Sequence, residues 1–387
     1  LFGKRGIPPT FARFLHNAIY IYMTEQNLAS QTDIIHNKKT ASLPQWLRKW
    51  LDWELWPASA LYAPIGPIWL WYCFRARSFW FYTSSNPTIY FGGYEGESKM
   101  DVYAQMPDDC YPQTALVRAG EDFHTAQTRI FAAGFSYPFV VKPDVGRKGI
   151  LFRKIDDEAH WSAYHRLCPI DYVVQELVDL PMELGVFYAR HPAEQKGRIT
   201  GIVYRELQEV KGDGYSPLRL LIEQHPQAKL RTEEFFRKHA DKLDWVPAPG
   251  ERFVLSYAIN RSRGARLFNF SHEADAELTA VFDRISLHSG GFFWGRFDVK
   301  CNTIEELRKG ENYTILEYNG AGASPSHMYH CGLSLWQAWG VILYHWRLLY
   351  DISRWNHLNG HPHWSFWYGL RNFRAVRRHL KLLDRYD

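Results

Sequence analysis

The chain has 387 residues, enough for two or three domains, and an apolar fraction of 46% that supports large cores. A formal net charge of +5 argues against general nucleic-acid binding on charge alone. Five scattered cysteines (Cys73, Cys110, Cys168, Cys301, Cys331) include no Cys-x-x-Cys pair, so neither a disulfide framework nor a zinc site is expected, only reduced, buried thiols.

The tryptophans, 16 in all, gather toward the two ends of the chain. Leu55 to Phe74 is apolar over about the length of a membrane span, but Pro57, Pro64 and Pro67 interrupt it, which makes a poor spanning helix. Arg75-Ala76-Arg77-Ser78-Phe79-Trp80-Phe81-Tyr82 follows and sets cations beside aromatic rings, as interfacial segments do. Two readings stand here: a segment laid into a membrane surface, and core packing of a soluble domain. No secretory signal is recognisable, and the expected location is the cytoplasm, peripheral on the inner face of the membrane.

Tyr137 to Ile150 reads as a short apolar strand ending in Lys142, a glycine-bearing turn and a second strand. A lysine at such a strand end can set its ammonium on a phosphate while the turn brings backbone N–H groups to the same oxygens. A hairpin with a snorkelling lysine is the other reading. No Gly-Lys-Ser/Thr opens a helix, so this is not a P-loop. A helix is expected over Ser162 to Leu167. Next, Val173 to Tyr188 is an apolar strand, a connector carrying Glu176, and a strand opening with Glu183. Further elements are a strand at Gly201 to Arg205, helices at Thr232 to Leu243 and Ala274 to Ser289, and a strand at Phe253 to Ile259.

Gly295-Arg296-Phe297-Asp298-Val299-Lys300 and Leu316-Glu317-Tyr318-Asn319-Gly320 supply an acid on one strand, then an acid and an amide two apart on the next. Adjacent strands of this kind aim oxygen ligands at one point, and hard oxygen ligands suit Mg²⁺, which leans on substrate phosphates for the rest of its shell. Leu333 to Ile352 has helical apolar spacing, and Arg371, Arg374, Arg377, Arg378 and Lys381 lie on a final amphipathic helix. That basic face is either solvated or set against anionic lipid. His357, His361 and His363 read as a polar loop cluster, either solvated or able to bind metal.

In this order the motifs resemble those of the ATP-grasp superfamily, and within it the D-alanine–D-alanine ligase-like carboxylate–amine ligases, over roughly Gly92 to His330. The resemblance implies an α+β, ATP-grasp fold of two subdomains clasping ATP, here with aromatic-rich helical N- and C-terminal extensions. The implied boundaries are a helical, membrane-facing region at 1–91, a linker and small subdomain at 92–215, a large subdomain with the metal site at 216–330, and a helical extension at 331–387. It implies that Lys142 and, further back, Lys99 bind phosphates, under a loop at Val145, Gly146 and Gly149. Glu176, Leu177 and Val178 would match the adenine connector, and Glu183 the ribose carboxylate. Asp298, Glu317 and Asn319 would hold magnesium, with Glu317 bridging two ions, and Arg296 would meet the tetrahedral oxyanion. Lys211-Gly212-Asp213-Gly214-Tyr215-Ser216 looks like the phosphate-covering loop of relatives of cyanophycin synthetase, so Lys211 or Arg205 would add positive charge. Gly320-Ala321-Gly322-Ala323-Ser324-Pro325 departs from the ligases' acceptor turn, which speaks against D-alanine as acceptor.

The implied activity is ATP-dependent joining of a carboxylate to an amine through an acyl phosphate, on an amphiphilic or membrane-borne substrate, with ATP and Mg²⁺ as cofactors and no nucleic-acid partner. An ATP-grasp phosphotransferase and an inactive membrane-associated relative are the alternatives.

Overall fold

The computed structural model describes residues 52–147, 149–206, 208–225, 228–256 and 266–386. Lys148 of the expected phosphate loop, 257–259 of the expected strand and the N-terminal region before Asp52 lie outside them. The described residues form mixed helix and antiparallel sheet, with aromatic-rich helical segments toward both ends.

The apolar run opens with two short helices, Ala58–Tyr62 (α1) and Gly66–Ala76 (α2). Pro57 is the N-cap of α1, Pro64 sits in the 3-10 turn Ala63–Ile65, and Pro67 lies in the first turn of α2. Each proline thus occupies a helix start, where its missing N–H leaves no bond unmade. The run is therefore cut into pieces too short to span a bilayer, and no described helix is long and apolar enough to cross one.

Lys99–Tyr103 (α3), capped by Ser98, leads into a four-stranded antiparallel sheet of Thr114–Val117 (β1), Phe139–Pro143 (β2), Arg153–Ile155 (β3) and Tyr172–Glu176 (β4), in the order β1-β4-β2-β3. The second expected strand begins three residues later than Ile150, because Ile150 and Leu151 stay in the turn, Leu151 with φ 53°. Helices Phe123–Ala132 (α4) and Glu158–Leu167 (α5) start at Asp122 and Asp157, whose carboxylates accept the N–H groups of Thr125 and His160. Ile130 and Trp161 from these helices meet Phe139, Val141 and Val174 in one core.

Met182–Ala189 (β5) and Arg198–Glu206 (β6) begin a second sheet. From β6 the chain enters a separate compact unit, Tyr204–Phe268, holding Gln208–Lys211 (β7), Leu218–Gln224 (α6), Thr232–Lys238 (α7) and Arg252–Ser256 (β8) around Val210, Leu218, Ile222, Phe235 and Leu255. This division differs from the boundary expected at 215/216. The expected helix from Thr232 stops at Lys238. The chain returns in Arg266–Asn269 (β9), and Ala276–Ser289 (α8), Trp294–Cys301 (β10), Ile304–Lys309 (α9) and Tyr313–Asn319 (β11) complete a sheet ordered β11-β10-β5-β6-β9.

Buried Asn86 fixes where β10 begins. Its side-chain oxygen accepts N–H bonds from Phe293 and Trp294 at 2.9 and 3.0 Å, and its amide donates to the carbonyls of Gly92 and Trp294. Helix Leu335–Leu358 (α10) starts in a Ser334/Gln337 capping box and runs six residues past the expected end. It packs on the N-terminal aromatic segment through Trp69–Trp346 and Tyr72–Tyr350, with ring centroids 5.0 and 4.7 Å apart. Trp53, Trp80 and Trp339 are buried, whereas Trp336 and Trp367 are exposed. The last helix, Phe366–Leu383 (α11), buries Val376, Leu380 and Leu383 among the residues beneath the four-stranded sheet. All five cysteines are free.

Candidate functional site

Antiparallel register sets Asp298 opposite Glu317 and Arg296 opposite Asn319, so β10 and β11 present all four side chains on one face of the sheet. A register shift follows immediately, between Asp298 and Val299. On the other side of β10, Asp298 faces Gly185, which has no side chain, and Lys300 faces Glu183. Phe297 and Tyr318 point to the opposite face and are buried against each other, Phe297 also against Phe282 of α8.

Arg296 binds Asp298 through two parallel bonds, Nε–Oδ1 at 2.7 Å and Nη2–Oδ2 at 3.1 Å, and Asn319 Nδ2 donates to the same Oδ2 at 3.2 Å. Both Lys142 and Lys99 approach β11. Lys142, on β2, donates to the Leu316 carbonyl at 3.4 Å; Lys99, at the first turn of α3, donates to the Asp144 carbonyl and lies 3.9 Å from Glu317 Oε1. Burial lowers the Lys142 ammonium below the usual lysine range, opposed by Glu317, Asp298 and Glu183. Those carboxylates favour the charged ammonium against its burial.

A small cavity beside these groups is lined by Glu97, Lys99, Tyr103, Gly146 and Glu317. Burial pushes the Glu97 carboxyl up to about 7, and its Oε2 has no hydrogen-bond partner. Tyr103 reaches the Leu316 carbonyl with its hydroxyl and accepts from Gln175 Nε2 at 3.1 Å.

The other expected nucleotide residues lie on several elements. Gly146 lines the cavity, and Val145 adjoins it in the turn after β2, with Gly149 further along at φ 71°. Glu183 is buried at the start of β5. Glu176 ends β4 and is exposed, its carboxylate accepting the Gln113 N–H at 3.1 Å. Leu177 and Val178 form the connector, and the Val178 carbonyl accepts from Lys300 Nζ at 3.0 Å. Lys211 is exposed at the end of β7 and Arg205 lies in β6, both in the separate unit. There Asp213 folds the Gly-Asp-Gly-x-Ser loop by accepting the N–H groups of Tyr215 and Ser216 at 3.0 and 2.7 Å.

The small-residue turn after Asn319 has a backbone role. Ala321 and Gly322 donate their N–H groups to the Gly92 and Gly93 carbonyls at 2.9 and 3.0 Å, and a Cβ on Gly320 would stand 2.4 Å from the Gly92 oxygen. Only glycine admits that approach.

Lys300, Glu97, Tyr103 and Asn86 were not singled out from the sequence. Lys300 had a legible signal, because it lies two residues beyond Asp298 and so shares its strand face. The others are brought in by contacts of high sequence separation.

Among the described residues no three His, Cys, Asp or Glu side chains are grouped to hold a metal. Asp298 and Glu317 offer two carboxylates on adjacent strands, with Asn319 beside them. That set fits magnesium, a cation that keeps several waters and takes phosphate oxygens, rather than a metal needing a full protein cage.

No protein-family model matches the chain, and no curated protein matches it significantly. Solved structures similar to it include the VanG D-Ala:D-Ser ligase from Enterococcus faecalis, at 15% identity and TM-score 0.38, covering 65% of this chain and 61% of that one. Others are a D-alanine–D-alanine ligase from Bacillus anthracis (12%, TM-score 0.37, 68% and 69%) and the ATP-grasp ligase PsnB (15%, TM-score 0.35, 64% and 60%). At TM-scores below 0.5 these likenesses to ligases carry no argument, and the chemistry of the site rests on its own geometry.

Proposed function

We propose that the protein is an ATP-dependent carboxylate–amine ligase of the ATP-grasp type, acting through an acyl phosphate on an amphiphilic or membrane-borne substrate. The observation that carries this reading is the meeting at Leu316 and Glu317 of two lysines from different elements, Lys142 and Lys99, with the Arg296, Asp298 and Asn319 set on one sheet face.

A carboxylate resists attack by an amine because its leaving group is an oxide. Transfer of the γ-phosphoryl group of ATP to a carboxylate oxygen gives ADP and an acyl phosphate; the amine nitrogen then attacks the carbonyl carbon, loses its proton, and phosphate leaves with the C–O electron pair. Lys142 and Lys99 lower the charge of the phosphates in the first step, and Arg296 meets the oxyanion in the second. Asp298, Glu317 and Asn319 would hold magnesium, which would supply neutralisation of phosphate oxygens. Glu183 and the connector at Glu176 to Val178 are assigned to ribose and adenine.

The membrane part of the reading is supported by exposed Leu55, Leu70, Phe74 and Phe79, continued by Phe366 and Trp367 of α11, with the Phe79 and Phe366 rings 6.5 Å apart. Arg75 and Arg77 are exposed beside them. Such a surface of rings and cations suits an anionic bilayer interface, each cation contributing about 1 kcal/mol. The protein would then work at the inner face of the membrane.

Incubation with paired carboxylates and amines, scored by ADP release and product mass, tests the ligase reading. ADP and phosphate released only when both substrates are present support it; a stable phosphorylated product makes the protein a kinase instead.

A further inference from the structure

Helix α11 touches both a lipid-suited surface and the turn assigned to the phosphates. Trp367, Arg371, Arg374, Arg378 and Lys381 recur every three or four residues, so they form one stripe along the helix, and all five are exposed. The helix carries five Arg and Lys residues and no carboxylate. Trp367 is 76% exposed, among the most exposed large apolar side chains of the described residues.

The opposite stripe, Gly369, Val376, Leu380 and Leu383, is buried. It abuts the two segments that deliver the candidate phosphate groups. His379 Nε2 lies 2.9 Å from the Val145 carbonyl, in the turn after β2, and a Cβ on Gly146 would contact the Leu383 side chain at 3.8 Å. On the approach to Lys99, Gly96 (φ 94°) lies so close to Val376 that a Cβ would come within 2.6 Å of it. Tyr90 donates its hydroxyl to Asn372 at 2.8 Å. The N-terminal end of the helix is pinned by Trp80, which donates to the Phe366 carbonyl at 3.1 Å and packs on Gly369.

We infer that the outer stripe of α11 docks on an anionic lipid surface, and that through His379, Val376 and Leu383 this docking steadies the Val145–Gly146 turn and the Gly96 approach to Lys99, making the nucleotide site responsive to lipid. The inference rests on the ATP and membrane readings above and adds their coupling. The occupant follows from charge: a line of cations with a tryptophan at one end matches a surface of anionic headgroups with an apolar layer beneath. The coupling follows from rigidity. A helix held on a surface loses motion that the turn shares, so a nucleotide arriving later has less disorder to remove.

The test uses the full chain and measures binding of a non-hydrolysable ATP analogue with Mg²⁺. Binding is compared without vesicles, with phosphatidylcholine vesicles, and with vesicles containing phosphatidylglycerol. The expected result is nucleotide binding tighter by about fivefold or more with anionic vesicles alone, together with slower hydrogen exchange at 145–147. Arg374→Glu with Arg378→Glu should abolish both vesicle binding and the response. His379→Ala should keep vesicle binding and lose the response, and His379→Gln, which retains a side-chain N–H donor, should restore part of it. Vesicle binding with unchanged nucleotide affinity and unchanged exchange overturns the coupling while leaving the membrane reading intact. A protein that ignores anionic vesicles overturns both, and one that binds vesicles but no nucleotide removes the ATP reading on which the coupling depends.

Discussion

Arg296 holds both carboxylate oxygens of Asp298, at 2.7 and 3.1 Å, in a pair whose side chains are 17% and 9% exposed. The residue assigned to the oxyanion therefore restrains the residue assigned to the metal. A cation held at Asp298 would compete with this fork, and the guanidinium would then be free to turn toward substrate.

Arg296→Ala should reduce ligation by about 10²–10³-fold, the loss typical of one oxyanion donor, with ATP affinity little changed. The same variant should bind Mn²⁺ more tightly than wild type without nucleotide, because Asp298 is released. Steady-state kinetics and a metal titration read the two effects separately. Collapse of ATP binding with spared chemistry would make Arg296 a phosphate anchor.

Glu317 is 36% exposed and lies at the end of the sheet face rather than in the core. Glu317→Gln should cripple magnesium-dependent turnover and leave thermal unfolding close to wild type. Unchanged activity would remove Glu317 from the metal set.

His345 is buried on α10, with Nδ1 2.8 Å from the Val341 carbonyl and Nε2 3.0 Å from Thr200 Oγ1. Burial lowers its pKa to about 4, and lowers that of neighbouring His327 too, the two rings being 5.4 Å apart. The unfolded chain binds a proton at about 6.5 that the folded His345 refuses, so stability should fall as pH drops from 6.5 toward 4. At pH 5 the expected loss from His345 alone is about 2 kcal/mol. Urea unfolding at pH 7 and pH 5 measures it, and His345→Gln should flatten the slope. A wild type equally stable at both values would contradict a neutral buried imidazole.

Leu70 and Phe74 are 56% and 73% exposed on α2, whereas Trp69 packs against Phe81, Tyr82 and Trp346. Leu70→Ser with Phe74→Ser should therefore weaken co-sedimentation with anionic liposomes while preserving ATP binding. Changing Trp69 should instead lower stability, since it removes a ring from the aromatic core. Equal sedimentation of the double variant and wild type would discard α2 as the contact.

The strands that carry Lys142, Glu183, Asp298, Glu317 and Asn319 were legible because strand alternation and turn chemistry are local properties, whereas the roles of these residues were implied by the resemblance. The sheet face shared by Arg296, Asp298, Glu317 and Asn319 follows from two strands and a short connection. Lys300 escaped attention although the same alternation contains it. Glu97 and Tyr103 flank Lys99 in sequence, but only the contacts with β11 show that they line the cavity with Glu317.

The sequence by itself determined that the apolar run is broken, through its three prolines, and it carried in Asp122 and Asp157 the local caps that start two helices. Only the tertiary structure decided that the aromatic residues of the two ends pack together, as Trp69 does with Trp346, and that α11 reaches the turn at Val145. It also decided that Asn86 sets the start of β10. Capping and alternation act over three or four residues, so they can be read from neighbours. Contacts such as Asn86 to Trp294 and His379 to Val145 join residues more than two hundred apart, and burial of apolar surface is indifferent to sequence distance.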